Sequence, residues 1–236
     1  MCAAVLPCCV WSSFARNTRN NQQPLMTLTY AQLYSAAWNT QPNGPAIAIQ
    51  TAFTIAAGSK GVMMFQSFQQ WFDADSSAWN GVIQSVLLSI ASPRVRHVIR
   101  TGDVAGMELH SSDPGSEIHN SSSVTEVIRN DDSVLVVVIN TDAGGYSGLL
   151  CHVGVDDHWT VNDHTVQTIS LGLTEDTVVT AADVASMQEV VGGEFMPPQS
   201  GASATLSDED AQVVLTNVAL SAKTPVRMFM FNYTLL

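Results

Sequence analysis

At 236 residues and 25.3 kDa the chain has room for one large domain or two small ones, and its 46% hydrophobic content allows a sizeable core. Charged residues make up 13%, about half the usual share, and the net charge is −12. That acidic balance excludes nucleic acid and anionic membranes as expected partners, since both call for clustered Lys and Arg. The charge is uneven. Residues 1–72 carry Arg16, Arg19 and Lys60 with no acid, a net of +3, whereas residues 73–236 sum to −15.

The N-terminal run MCAAVLPCCVWSSFARN is apolar but lacks the basic start of a secretory signal, and it is too short to span a bilayer. Cys2, Cys8 and Cys9 crowd this end and Cys151 stands alone, so neither a CxxC pair nor a zinc spacing arises. Residues 1–25 are expected to be an unstructured lead. The sequons at Asn120-Ser121-Ser122 and Asn232-Tyr233-Thr234 would suit a secreted protein, though such triplets are common by chance.

Tyr30–Trp38 predicts a short helix, and the Pro- and Gly-bearing NTQPNGP, Asn39–Pro45, a loop. From Ala46 onward Ile47, Phe53 and Ile55, spaced by alanines, give a helix whose end is bracketed by Gly58 and Gly61. Val62, Met63, Met64 and Phe65 then run without a polar break, as a strand covered on both faces does. Gln66, Ser67, Phe68, Gln69, Gln70 and Trp71 follow where that strand would surface. Trp79, Val82, Ile83, Val86, Leu87 and Ile90 form one apolar face at helical period. Pro93 interrupts it, and a second short helix with Val95, Val98 and Ile99 is predicted to end at Thr101-Gly102.

After Gly102 the texture turns to strands. Val124–Ile128 and Val134–Ile139 flank Arg129-Asn130-Asp131-Asp132-Ser133 as a hairpin. Leu149–Val155, Thr165–Leu171, Thr177–Thr180, Val213–Leu220 and Val226–Tyr233 are further strands, parted by turn clusters such as MPPQSG from Met196. Short strands at this spacing predict a sandwich.

The segment AAGSKGVMMFQS, Ala56–Ser67, resembles the run leading into the eighth barrel strand of TIM-barrel glycoside hydrolases, the β-galactosidase-like group above all. The family continues with a tryptophan-bearing loop, a helix and a β-sandwich, and this chain keeps that order through Trp71, Trp79 and the strand-rich tail. The resemblance spans roughly residues 44–236, its specific part only about a dozen of them. It implies an α/β plus all-β fold: a partial (β/α) barrel end of helices and one buried strand at 26–102, then an antiparallel β-sandwich at 103–236. It also implies a carbohydrate-associated, carboxyl-terminal fragment of a glycoside-hydrolase-like protein.

A whole barrel takes about 250 residues, and the family's two catalytic carboxylates come from strands upstream of this match. Here no Asp or Glu precedes Asp73. The resemblance thus supplies no catalytic residue, and whether the chain is an enzyme stays open.

If sugar contact occurs, the residues implied are Gln66, Phe68, Gln69 and Trp71, an indole to stack on a pyranose and amides to bond its hydroxyls. The plainer reading makes Phe68 and Trp71 plugs of a barrel end. His152, Asp156, Asp157, His158, Asp163 and His164 have the composition of a metal site but no ligand spacing, so solvent-facing strand ends are expected and no metal. No GxSxG, GxGxxG or Walker loop occurs, and no cofactor is expected. The partner expected is carbohydrate. The lone buried strand would also have open edges, calling for an upstream barrel segment or an oligomer partner. The alternative is a non-catalytic β-sandwich module that binds a glycan or a protein.

Overall fold

The computed structural model describes residues 26–30, 44–56, 58–65, 79–110, 123–141, 143–144, 160–171, 177–207 and 212–235. The first strand, β1 (Met26–Tyr30), leads through helix α1 (Gly44–Ala56) to β2 (Gly61–Phe65). The two strands pair in parallel, from Met26 opposite Gly61 to Tyr30 opposite Phe65. A helix joining two parallel neighbours is a βαβ unit. β1 was not expected from the sequence, and Tyr30 closes this strand rather than opening a helix. Residues 31–38, the rest of that predicted helix, lie outside the described residues.

Gly58 ends α1 in the left-handed region at φ 94°, where only glycine sits without strain, and its N–H donates to the Ile55 carbonyl at 2.8 Å. Ala48, Ile49, Ala52, Phe53, Ile55 and Ala56 are all buried. A helix apolar nearly all round must be covered on more than one side. Here the β1–β2 pair and a large antiparallel sheet cover it.

A π-turn at Trp79–Ile83 runs into α2 (Gln84–Ala91), and α3 (Pro93–Thr101) follows. Pro93 forces Ser92 out of helical geometry, to φ −58° and ψ 141°, and so breaks the helix where the sequence predicts. Val82, Ile83 and Val86, then Val95, Val98 and Ile99, are buried as expected. Thr101 is the last helical residue.

The strands that follow are β3 (Asp103–His110), β4 (Ser123–Arg129), β5 (Ser133–Asn140), β6 (Ala143–Gly144), β7 (Thr160–Val161), β8 (His164–Leu171) and β9 (Thr177–Val178). A one-turn helix, α4 (Ala181–Ala185), precedes β10 (Gln188–Val191), β11 (Glu194–Met196), β12 (Ser203–Leu206), β13 (Val213–Leu220), β14 (Val226–Asn232) and β15 (Thr234–Leu235). The hairpin β4–β5 and the strands β8, β13 and β14 lie where the sequence places them. Thr177–Thr180 is corrected: Thr180 caps α4, its hydroxyl accepting from the Asp183 N–H while the Asp183 carboxylate accepts from the Thr180 N–H. The predicted strand Leu149–Val155 lies outside the described residues.

Six strands form one antiparallel sheet in the order β11-β10-β14-β5-β4-β3, and three form another, β12-β13-β8. The fold is thus mixed, helices with mostly antiparallel sheets, and there is no closed barrel among the described residues. β5 is buried along its whole length. Its Leu135, Val137 and Ile139 face the helices, and its Val134, Val136 and Val138 face the smaller sheet. That alternation makes three layers: helices, six-stranded sheet, three-stranded sheet.

Asn217, at φ 57°, lets β13 change phase, so that Val213 and Leu215 before it and Val218 and Leu220 after it all point inward. Asn takes this conformation more readily than most side chains.

Candidate functional site

The sandwich core is apolar at its centre and polar at one end. At that end β14 begins, β13 and β5 finish, and β8 starts. Arg227, second in β14, lies opposite Val138 on the face toward the smaller sheet, and Glu189 of β10 lies on the same face. Their side chains are 4% and 6% exposed. Arg227 Nε donates to Glu189 Oε1 at 2.8 Å and Nη2 to Oε2 at 2.5 Å, a two-pronged, charge-assisted pair.

The loop after β11 seals the pair. Gln199 N–H donates to Glu189 Oε2 and the Gln199 carbonyl accepts from Arg227 Nη2, both at 2.8 Å. Ser200 and Gly201 sit at φ 57° and 78° to make that fold-back. For a serine this is a strained conformation, held by the bonds around it. Both oxygens of Glu189 are thus engaged, and so are Nε and Nη2 of Arg227. Arg227 Nη1 has no hydrogen-bond partner and is buried.

His164 opens β8 opposite Leu220. Both its ring nitrogens are buried without a hydrogen-bond partner. The two residues before it are anchored: Asn140 Nδ2 donates to the Asn162 carbonyl at 2.9 Å, and Asp163 Oδ1 accepts from the Ala222 N–H at 3.3 Å. Between the β13 and β14 ends, Ser221 and Thr224 close a tight turn through their hydroxyls, 2.9 Å apart.

Asp163, His164, Glu189, Gln199, Ser200, Ser221, Thr224 and Arg227 line a half-open pocket of about 410 Å³, with Val191 and Leu220 among its apolar lining. That volume is within the roughly 300–1,000 Å³ range of small-ligand sites. Its charged groups are Asp163, Glu189 and Arg227, so fixed negative charge is not in deficit.

Gln66, Phe68, Gln69 and Trp71 lie outside the described residues, as do His152, Asp156, Asp157 and His158 of the acid- and histidine-rich stretch. Of that stretch the structure places Asp163 and His164, both at the cavity. Arg227 and Glu189 were missed. The available signal was one charge in each of two apolar strands, VRMFMF and QEVV.

No family model matches the chain, and neither does any curated protein sequence. Among solved structures, the glycoside hydrolase family 30 subfamily 8 xylanase Xyn30A from Clostridium acetobutylicum is similar over 91% of this chain and 44% of its own, at 12% identity and a TM-score of 0.41. The chain spans less than half the length of that enzyme. No helix among the described residues is long and apolar enough to cross a membrane.

Proposed function

We propose that this chain is a carbohydrate-associated, carboxyl-terminal part of a glycoside-hydrolase-like protein: the end of an α/β barrel joined to an antiparallel sandwich. The observation that carries the reading is the β1–α1–β2 unit. Its second strand lies inside the AAGSKGVMMFQS segment and takes a parallel partner from upstream in the same chain. A barrel end requires such parallel pairing, and a strand recruited into the sandwich would not show it.

The chain itself does not hydrolyse glycosides. Two carboxylates must flank the sugar bond, and residues 1–72, which include β1, α1 and β2, contain none. Among the described residues β1 and β2 pair only with each other, so each keeps an open edge for a further barrel segment or a partner chain.

Affinity electrophoresis of the purified chain through gels with soluble polysaccharides tests the association, and aryl-glycoside assays test the missing chemistry. Retardation on at least one polysaccharide with no turnover is the expected result. Migration unchanged on every polysaccharide removes the carbohydrate reading. Turnover that is lost on Asp73→Asn removes the claim of catalytic incompleteness.

The polar cavity favours a second reading, in which the sandwich is itself the binding module and the helices only cover its outer face. A sandwich of residues 103–236 that folds and keeps all polysaccharide retention would support that reading.

A further inference from the structure

Helix α3 runs against the charge balance of the chain. In a chain of net charge −12 with nine Lys and Arg residues, Arg94, Arg96 and Arg100 fall within this one helix, and Lys60 and Arg129 adjoin its end. Lys60 Nζ donates to the Gly102 carbonyl, and the Arg129 carbonyl abuts Gly102. Arg94, Arg96, His97 and Arg100 are exposed, whereas Val95, Val98 and Ile99 fasten the other side to the core.

These charges work against the helix. No acid stands in its first turn, where the helix dipole favours one, and Arg94 occupies that turn instead. Arg96 and Arg100 are one turn apart, and like charges at that spacing repel. Acids are at hand near the C-terminal end: Asp103 opposite Arg129, and Asp131 and Asp132 in the turn whose Asn130 bonds Thr101. Even so, among the described residues Arg94, Arg96 and Arg100 form no ion pair. Arg94 is held by neutral groups. Its guanidinium carbon lies 4.6 Å from the centre of the Phe195 ring, and its nitrogens donate to Asn232 at 3.2 Å and Gln188 at 3.4 Å.

An apolar feature sits beside this face. Leu88 is 45% exposed, the one large hydrophobic residue so exposed among the described residues. It abuts Gly193 in the turn between β10 and β11, two positions before the half-buried Phe195 that Arg94 covers.

We infer that the exposed face of α3, with Leu88 and Phe195 at its edge, is the docking surface for a short acidic segment of a partner protein. That segment brings carboxylates to Arg94, Arg96 and Arg100 and an apolar side chain to Leu88. The inference is independent of the carbohydrate reading. Charge complementarity calls for an anion, and the guanidinium fork suits a carboxylate. Leu88 and Phe195 call for a peptide, because polyuronates and nucleic acids carry no aliphatic side chain. Size points the same way. Nine helical residues span about 13 Å, and salt confines the field of these charges to about 8–10 Å. A short segment stays within that reach. A long polyanion or an anionic membrane would extend over a chain whose remaining charges are mostly acidic.

The test is fluorescence anisotropy of a labelled peptide, EELEELLEELEE, titrated with the whole chain at low salt. The peptide is expected to bind, with an affinity that falls as salt rises. Its form with Gln for every Glu should not bind, and its form with Ser for every Leu should bind less tightly. The double variant Arg96→Glu with Arg100→Glu should weaken binding about tenfold or more. Its thermal midpoint should stay unchanged or rise, because both side chains are exposed and repel each other. Leu88→Ser should weaken binding at every salt concentration, since its contribution is apolar contact.

No binding of the peptide, or equal binding by the double variant, overturns the proposal. An oligogalacturonate or a single-stranded oligonucleotide of like charge that binds as tightly as the peptide overturns the peptide as occupant. A dimer in sedimentation that the double variant abolishes gives the face to a second copy of this chain, and overturns it too.

Discussion

The two faces of the six-stranded sheet solve the same problem differently. On the helix side, Ala48, Ala52 and Ala56 with Ile49 bring α1 close onto Leu135, Val137 and Ile139. On the other side, Phe229, Phe231 and Val136 meet Leu215, Val218 and Ile169 of a sheet only half as wide. Three strands cannot cover six. The remaining area around Glu189 and Arg227 is closed by a loop and an ion pair instead of by side-chain packing. The first interface is finished by hydrophobic contact. The second is finished by polar groups, two of which have bonds to spare, and the cavity lies there.

The largest effects should come from breaking the sheet-to-sheet side. Phe229 is fully buried, and Phe229→Ala should cost about 3–5 kcal/mol in denaturant unfolding. Ile49→Ala, on the helix side, should cost about 2–5 kcal/mol. If Ile49→Ala were silent in the same experiment, the helices would be a peripheral cover and not part of one cooperative unit.

Glu189→Ala leaves Arg227 as a buried charge without its partner, and about 3–5 kcal/mol should be lost. The double change Glu189→Leu with Arg227→Met should recover most of that, because the pair is replaced by packing. Single and double variants that unfold at the same denaturant concentration would mean that the pair carries no penalty when broken, and the contrast between the faces would fail.

Much of this architecture was legible in the sequence, for a definable reason. The hairpin β4–β5, the strands β8, β13 and β14, and the helices α1 to α3 follow from runs and periods carried within each segment. β1 was not legible: Met26–Tyr30 alternates Thr with larger residues over only five positions and sits beside residues that read as helix. Thr180 and Asp183 show that a cap spacing was present and passed over. The ion pair was hidden for a deeper reason. A charge in VRMFMF faces water or core according to the register of β14 on β5, which is set by residues some 90 positions away. His164 could be singled out by composition, but its lack of partners belongs to the packed structure.

A smaller effect tests the turn that joins the helices to the sheet. Gly102 has an ordinary extended backbone, φ −82° and ψ 163°, so the constraint on it is space and not conformation. A Cβ there would lie 2.6 Å from the carbonyl oxygens of both Arg129 and Val98. Those are backbone atoms, so α3 and β4 must part. Gly102→Ala should cost about 1–3 kcal/mol in the same unfolding assay, whereas an unchanged midpoint would show that α3 is free to move on the sheet.

The smallest effect concerns the end of β14 away from the cavity, where Tyr233 packs on the same sandwich-side core as Phe231. Its hydroxyl donates to the Asn130 carbonyl, so this buried polar group is satisfied as Arg227 Nη1 is not. Burial raises its pKa above the ordinary 10.0; Arg129 opposes that shift and Asp131 and Asp132 add to it. A phenol that holds its proton more tightly when folded stabilises the fold fully below the unfolded value near 10. That contribution is lost as pH rises through the higher folded value. Stability should therefore fall above pH about 10 in the wild type. Tyr233→Phe should cost about 1 kcal/mol at neutral pH, the worth of one hydrogen bond, and should flatten the alkaline decline. A decline that persists undiminished in Tyr233→Phe would place its cause in other groups, and the two ends of the sandwich would no longer differ by whether their buried polar atoms are satisfied.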